Sequence, residues 1–275
     1  MQPVVLFRKH LMEDNELNAA EKAGFKCVFQ RAQIPPESMV VARYSALPYY
    51  LELEKDLNYN KSILINTHQE HEWIANMDWA FDEYVQKLTF PTWTSLDQAP
   101  FNEAPFVLKG RTNSKKQRWS THMYAETWQD AMDVQRRLED DGLIGEQGIV
   151  IRKYIPLETY FNGIGGVPIT KEFRVFIYKQ QVLSVAYYWN AFIDDFAFYN
   201  KTPPVFEDSY YNFVNKVMYA VGDFATFYVA DVAQDQNGKW WLVEINDGQM
   251  SGLSGNSPIV LYSRLFGLIN ENKIM

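Results

Sequence analysis

Cysteine is all but missing from this chain: Cys27 is the single one in 275 residues. That excludes an internal disulfide framework and suggests a reducing compartment, so the expected location is the cytoplasm. No apolar run approaches the roughly 20 residues that a membrane-spanning helix needs. The N-terminal stretch lacks an apolar segment long enough for a signal peptide. Basic residues are outnumbered, 26 Lys and Arg against 34 Asp and Glu, for a net charge of −8. Lys and Arg supply most nucleic-acid affinity through phosphate contacts, so this balance argues against a general nucleic-acid binder. Internal repeats and low-complexity tracts are also missing.

The familiar short motifs are missing too. His68 and His71 sit three apart, but no Cys or third ligand accompanies them, which argues against zinc. Gly163-Ile-Gly-Gly166 lacks the following helix and the Lys-Ser/Thr ending of a phosphate-cradling loop, and reads as a turn. No Ser/His/Asp arrangement has a recognisable local context.

What is present is a globular composition, 47% hydrophobic and 22% charged, long enough for one large or two modest domains. Its most informative stretch runs from Thr226 to Gly248. Two apolar runs flank Asn237-Gly238, a strong hairpin signal. With a two-residue loop there, Gln236 pairs with Lys239, Asp231 falls opposite Glu244, and Asn246 shares their face. Like charges opposite one another destabilise a sheet, so two carboxylates and an amide on one face call for a cation. All three are oxygen ligands, which suit Mg²⁺ rather than Zn²⁺. Mg²⁺ usually takes one or two carboxylates and lets phosphates complete its octahedron, which points to a nucleotide triphosphate. The competing reading is an edge hairpin whose carboxylates face solvent.

Strands are expected at Val4–Phe7, Phe25–Phe29, Met39–Ala42 and Ile63–Ile65. Helices are expected at Asn15–Ala23, at Leu47–Leu57 and over most of His71–Leu88. That alternation implies βαβ units and a mainly parallel sheet, an α/β segment over residues 1–92. The rest reads as α+β. Strands are expected at Phe106–Lys109 and Gly148–Tyr154, and a helix at Thr127–Leu138 with Thr127 as its cap. A hairpin over Lys171–Tyr178 and Val182–Trp189, joined by residues 179–181, precedes helices at Phe206–Val221 and Pro258–Leu268.

Four features there could carry chemistry. Lys109 ends a rigid strand, and could reach a phosphate or simply be solvated. Residues 112–121 form the one dense basic tract, a mobile flap over phosphates, an exposed loop, or a contact for an acidic protein or RNA partner. The strand over residues 149–155 breaks at Pro156, freeing backbone groups that could read an adenine edge. Arg174 lies on one face with Glu172, while Phe173 and Val175 face the core. A strand-mounted guanidinium can bind phosphate through two parallel bonds, or form a surface pair worth little.

The order of strand lysine, basic loop, interrupted strand, Glu172-Phe-Arg-Val-Phe176 and then Asp231 with Val243-Glu-Ile-Asn246 resembles the ATP-grasp superfamily of carboxylate–amine ligases. It is most similar to the compact clade found in bacteria and phages. The resemblance spans about Val4 to Leu253. It implies an ATP-grasp fold over residues 93–275, with a flap subdomain at about 105–155 and a metal-binding subdomain at about 156–275, preceded by a small α/β pre-grasp domain at 1–92. It implies further that Lys109 contacts the α/β phosphates, and that Lys115 or Lys116 approaches the β/γ phosphates. Arg152, Lys153, Tyr154 and Ile155 would line the adenine pocket, with Glu158 near the ribose. Arg174 would meet the γ-phosphate or an acyl phosphate, making Arg174 and Lys109 the catalytic pair. Asp231, Glu244 and Asn246 would hold one or two Mg²⁺, for which Mn²⁺ could substitute. The implied reaction is ATP-dependent: a carboxylate becomes an acyl phosphate, an amine captures it, and ADP and phosphate leave. The acid and the amine (amino acid, peptide or protein) are not specified. A small-molecule kinase and a non-catalytic nucleotide binder are the alternatives. The flap has few glycines, and Arg152-Lys153 stands where an acidic residue is common in the family.

Overall fold

The computed structural model describes residues 1–12, 15–43, 49–205 and 207–271. Its first layer is a four-stranded sheet in the order β2-β1-β3-β4, with every pairing parallel. The strands are β1 (Gln2–Phe7), β2 (Lys26–Val28), β3 (Ser38–Arg43) and β4 (Ile63–Leu64). Helices α1 (Glu16–Ala23) and α2 (Tyr50–Tyr59) lie between them. The start of the helix expected over Leu47–Leu57 lies outside the described residues.

The helix expected over His71–Leu88 is shorter and begins earlier. Helix α3 spans His68–Ala75, opened by a reciprocal cap between Thr67 and Glu70. It cannot continue because Met77 takes a left-handed conformation, φ 59°. That turns Met77 and Trp79 into the core as short 3₁₀ turns instead of a helix face.

A second sheet, order β5-β8-β6-β7, is antiparallel throughout. Its strands are β5 (Thr92–Trp93), β6 (Phe106–Gly110), β7 (Tyr124–Ala125) and β8 (Ile149–Lys153). After the single turn α4 (Trp119–His122) come α5 (Trp128–Glu139) and α6 (Gly142–Gln147), whose Ala131, Val134, Leu138 and Ile144 seal one face of this sheet. Thr127 caps α5 as expected, its hydroxyl accepting from the Asp130 N–H, a contact worth about 1 kcal/mol.

A short pair, β9 (Thr159–Asn162) and β10 (Pro168–Thr170), leads into the central sheet, order β12-β11-β13-β14. Its antiparallel strands are β11 (Glu172–Tyr178), β12 (Gln181–Tyr187), β13 (Phe227–Gln234) and β14 (Trp240–Asp247). The β11–β12 turn uses two residues, Lys179 and Gln180, both at positive φ. The single turn α7 (Asp195–Phe198) precedes α8 (Asp208–Val221). Phe173, Val175 and Ile177 pack toward α8, while Phe176 and Tyr178 pack toward β1 and the C-terminal helix α9 (Pro258–Glu271). Both faces of β11 are therefore covered, and Arg174, expected on an open face, is buried.

The β13–β14 hairpin departs from the expected two-residue loop. Asp235, not Gln236, bonds Lys239, so the loop holds Gln236, Asn237 and Gly238, with Gly238 at φ 82°. The Asp235 carboxylate accepts the N–H groups of Asn237 and Lys239, which stabilises the longer turn. Alone, that extra residue would set Asp231 opposite Val243 and turn Glu244 to the other face. A bulge at Val243 cancels it, and Asp231 stands opposite Glu244. Among the described residues, no helix is long and apolar enough to cross a membrane.

Candidate active site

The register builds a row of charge across three strands. Arg174 on β11 lies opposite Asp231 on β13, which lies opposite Glu244 on β14. Directly opposed residues share a face, so all three side chains project toward the second sheet. Arg174 binds Asp231 through two parallel bonds, Nε to Oδ1 at 2.9 Å and Nη2 to Oδ2 at 2.8 Å. Burial alone would weaken the guanidinium's hold on its proton, but the Asp231 carboxylate outweighs burial and raises its pKa further. The amide of Asn246 donates to Asp231 Oδ2 at 3.4 Å, which completes the expected trio on one face.

Lys109, at the end of β6, comes from the opposing sheet and pairs with Glu244. Burial pulls the Lys109 pKa down while Glu244 resists. Burial likewise pushes the Glu244 carboxyl up, yet Lys109, Lys116 and Arg152 together hold it at about 2. Cation and carboxylate thus stabilise each other's charge where neither would stay ionised alone.

Two adjoining cavities meet here and share Lys109, Ser114, Lys116 and Glu244. The first, of about 110 Å³, is mainly apolar, with Phe90, Val107 and Met123 in its lining. The second, of about 480 Å³, is the more polar of the two and reaches Arg174, Asn246 and Ser251. Arg152, Lys153, Tyr154 and Ile155 all line the apolar cavity. The Arg152 guanidinium is committed elsewhere, donating to the Val243 carbonyl and the hydroxyls of Thr89 and Thr92. Lys153 is paired with Glu103. Glu158 lines neither cavity, and its half-exposed carboxylate lies 3.7 Å from Lys171.

The two lysines of the basic tract part company. Lys115 turns outward to Asp141 and lines neither cavity, whereas Lys116 lines both. Lys116 bonds the Tyr188 hydroxyl, and its ammonium lies 4.4 Å from the Tyr188 ring centre and 5.4 Å from that of Trp189. Burial would lower its pKa, but Tyr188, Glu172 and Glu244 raise it instead.

Some site residues are given no role by the sequence. Tyr188 and Trp189, just beyond β12, form the wall against which Lys116 rests. Glu172 lines the apolar cavity and accepts from Thr170 Oγ1 and Trp189 Nε1, each at 3.1 Å. Arg43, at the end of β3, donates to the carbonyls of Gly248, Gln249 and Ser251, fixing the loop after β14. That loop in turn offers the Gly252 carbonyl to Arg174 Nη1 at 2.9 Å. An Arg distant in sequence from its partners gives no local pattern to read.

Among the described residues, no three Cys, His, Asp or Glu side chains gather as a ready metal centre. The donor set is instead Glu244 and Asn246 in the wall of the second cavity, with Asp231 behind them, lining neither cavity and bonded to Arg174 through both oxygens. That suits a hard divalent cation that completes its shell with water or phosphate.

Residues 96–265 match a family model described as an ATP-grasp domain, the third family of its clade. No curated protein sequence matches the chain. Among solved structures, it is similar to a RimK domain ATP-grasp protein from Sphaerobacter thermophilus at 12% identity, TM-score 0.59, covering 97% of this chain and 99% of that one. It is similar to the ATP-grasp ligase PsnB, solved with a minimal precursor, Mg and ADP, at 9% identity and TM-score 0.58, covering 99% and 98%. It is also similar to an L-amino acid ligase from Bacillus licheniformis at 15% identity and TM-score 0.54, covering 92% and 68%. At these identities the likeness concerns the fold.

Proposed function

Because the chain belongs to the ATP-grasp superfamily, we propose that it is an ATP-dependent ligase that joins a carboxylate to an amine. The observation that carries this reading is the seam between the two cavities, where Lys109, Lys116 and Glu244 border both. The apolar cavity suits a purine ring and the polar one suits the reacting groups, so the phosphates would lie along the seam. On this reading residues 1–92 are a pre-grasp domain and 93–275 the grasp proper, with its flap at about 105–155 and its metal-binding part at about 156–275.

Phosphoryl transfer asks a protein mainly to position oxygens and offset their charge. Lys109 and Lys116 do this along the triphosphate, and Arg174 does it where the γ-phosphoryl group meets the substrate carboxylate. Asp231, Glu244 and Asn246 would hold Mg²⁺, which would offset charge on the phosphate oxygens. The carboxylate oxygen takes the phosphoryl group, ADP leaves, and an amine displaces phosphate from the resulting acyl phosphate. Closure of the flap over the seam excludes water that would otherwise hydrolyse it. The reading assigns the protein to the cytoplasm, where ATP is abundant and Cys27 stays reduced.

The test is product analysis with a panel of amino acids and short peptides as acids and amines. ADP and phosphate should accumulate only when both partners are present. AMP and pyrophosphate would overturn the acyl-phosphate route, and phosphate retained on a product would identify a kinase.

A further inference from the structure

His71 is a buried, nucleophilic side chain that the chemistry above leaves unused. It stands on α3, away from the row of charges, yet it lines the polar cavity together with Lys109, Arg174 and Ser251. Its Nδ1 lies 2.9 Å from Asp247 Oδ2. Asp247 Oδ1 already accepts from Asn66 Nδ2 at 2.9 Å and from the Gln249 N–H at 2.8 Å. A carboxylate ringed by donors is an acceptor, so the hydrogen between it and His71 belongs to the imidazole. That fixes the Nδ1–H tautomer and leaves a lone pair on Nε2.

The ring cannot turn away. Tyr50 stacks on it at 4.3 Å and 9°. Tyr50 is itself pinned, its hydroxyl donating to the Asn66 carbonyl and accepting from Gln249 Nε2. Nε2 has no hydrogen-bond partner among the described residues. Tying α3 to the central sheet does not explain this arrangement. Asn66 already makes that tie, with Nδ2 donating to the Phe227 carbonyl and Oδ1 accepting its N–H, each at 2.7 Å. A histidine fixed through Nδ1, with no partner on Nε2 and a place in the wall of a cavity, has the form of a general base. The charged groups facing the same space are Lys109, Arg111, Lys116 and Arg174 against Glu244 and Asp247.

We propose that His71, oriented by Asp247, is the general base that deprotonates the incoming amine, an inference that rests on the ligase reading. The amine arrives as an ammonium, and Nε2 takes one of its protons. The freed lone pair forms the C–N bond to the acyl carbon. The C–O bond to phosphate breaks, its electron pair leaving with the phosphate, which takes the second nitrogen proton. The imidazolium then returns its proton to water. The nucleophile class is accordingly a basic primary amine, protonated at neutral pH.

Two measurements test this. The first needs no substrate: nitrogen NMR of the ¹⁵N-labelled protein at mildly alkaline pH, with His71 assigned by its loss in His71→Asn. The expected state is protonated Nδ1 and bare Nε2, and a proton on Nε2 would overturn the proposal. The second uses ATP, Mg²⁺ and a panel of L-amino acids, with hydroxylamine or a second amino acid as nucleophile. Hydroxylamine is neutral and reactive without a base. Asn keeps a donor toward Asp247, so H71N should fold. It should lower amide formation about 100-fold, the scale of general-base catalysis, and hydroxamate formation at least tenfold less than that. Equal loss of both products, or of neither, would sink the base role. Wild type that makes no ADP and no hydroxamate with any acid would instead count against the ligase reading, and the NMR result would still decide the tautomer.

Discussion

Arg152 Nη1 donates to the carbonyl of Val243 at 2.6 Å, at the residue whose bulge puts Glu244 on the same face as Asp231. Its other donors hold Thr89 and Thr92, and its guanidinium lies 4.8 Å from the Phe90 ring centre. Burial pulls the Arg152 pKa down to about 10, with Glu244 opposing, so the charge survives at neutral pH. A residue on the wall of the apolar cavity thus braces the bulge that sets the register of β14.

Replacing Arg152 with Met should therefore damage the site through the fold. The Val243 carbonyl and the Thr89 hydroxyl lose their donor, and each stranded buried group costs about 1–3 kcal/mol. Urea unfolding should show a loss of roughly 2–6 kcal/mol on that scale. A variant with wild-type stability would show that the bulge holds itself.

Lys115 and Lys116 offer a sharper contrast. Lys115 faces Asp141 outside both cavities, and Lys116 lines both. Lys116→Ala should lower kcat/KM for ATP about 100-fold, roughly 3 kcal/mol of lost charge stabilisation. Lys115→Ala should stay within about threefold, as expected for a half-buried ion pair outside both cavities. ADP release at subsaturating ATP measures both, and the reverse ranking would reassign the flap contact.

How far these residues are legible in the sequence depends on how local their cause is. The Thr127 cap needs only Asp130 three residues on, and it is readable. The Asp231–Glu244 pairing is also readable, but through two compensating departures. Asp235 draws the turn out by one residue, and the Val243 bulge, anchored by Arg152 from another sheet, takes it back. The first is a side-chain effect from the residue just before the loop, and the second is tertiary, so neither shows in a two-residue Asn-Gly pattern. The same holds for the rest of the site. Lys116 owes its position to Tyr188, and His71 its tautomer to Asp247, 176 residues away. His68 and His71 look alike in the sequence, and only packing separates them.

Lys109 and Glu244 should show strong coupling. Each charge is buried against the other, so removing one leaves the other stranded, at about 3–5 kcal/mol. Lys109→Met and Glu244→Gln should each destabilise on that scale, and the double variant should lose clearly less than their sum. All three should lack Mg²⁺-dependent ADP release, as should Asp231→Asn. Additive stability losses would show that the pair is not a unit, and unchanged turnover in both Glu244→Gln and Asp231→Asn would remove the metal assignment.

Glu172 supplies the pH dependence. Burial pushes its carboxyl from the ordinary 4.5 up to about 7, with Asp231 adding to the rise and Lys116 and Arg174 opposing it. Below 4.5 the folded and unfolded chains both carry the proton, and this group leaves stability unchanged. As pH rises toward 7, the unfolded chain releases the proton while the folded one keeps it, so stability falls until the folded carboxyl also ionises, then levels off. Gln in place of Glu172 keeps an oxygen to accept from Thr170 and Trp189 without the charge. Relative to wild type, Glu172→Gln should therefore gain stability from pH 5 to pH 8, measured by urea unfolding in matched buffers. A constant gap between the two proteins across that range would mean that Glu172 is ionised throughout, held so by Lys116.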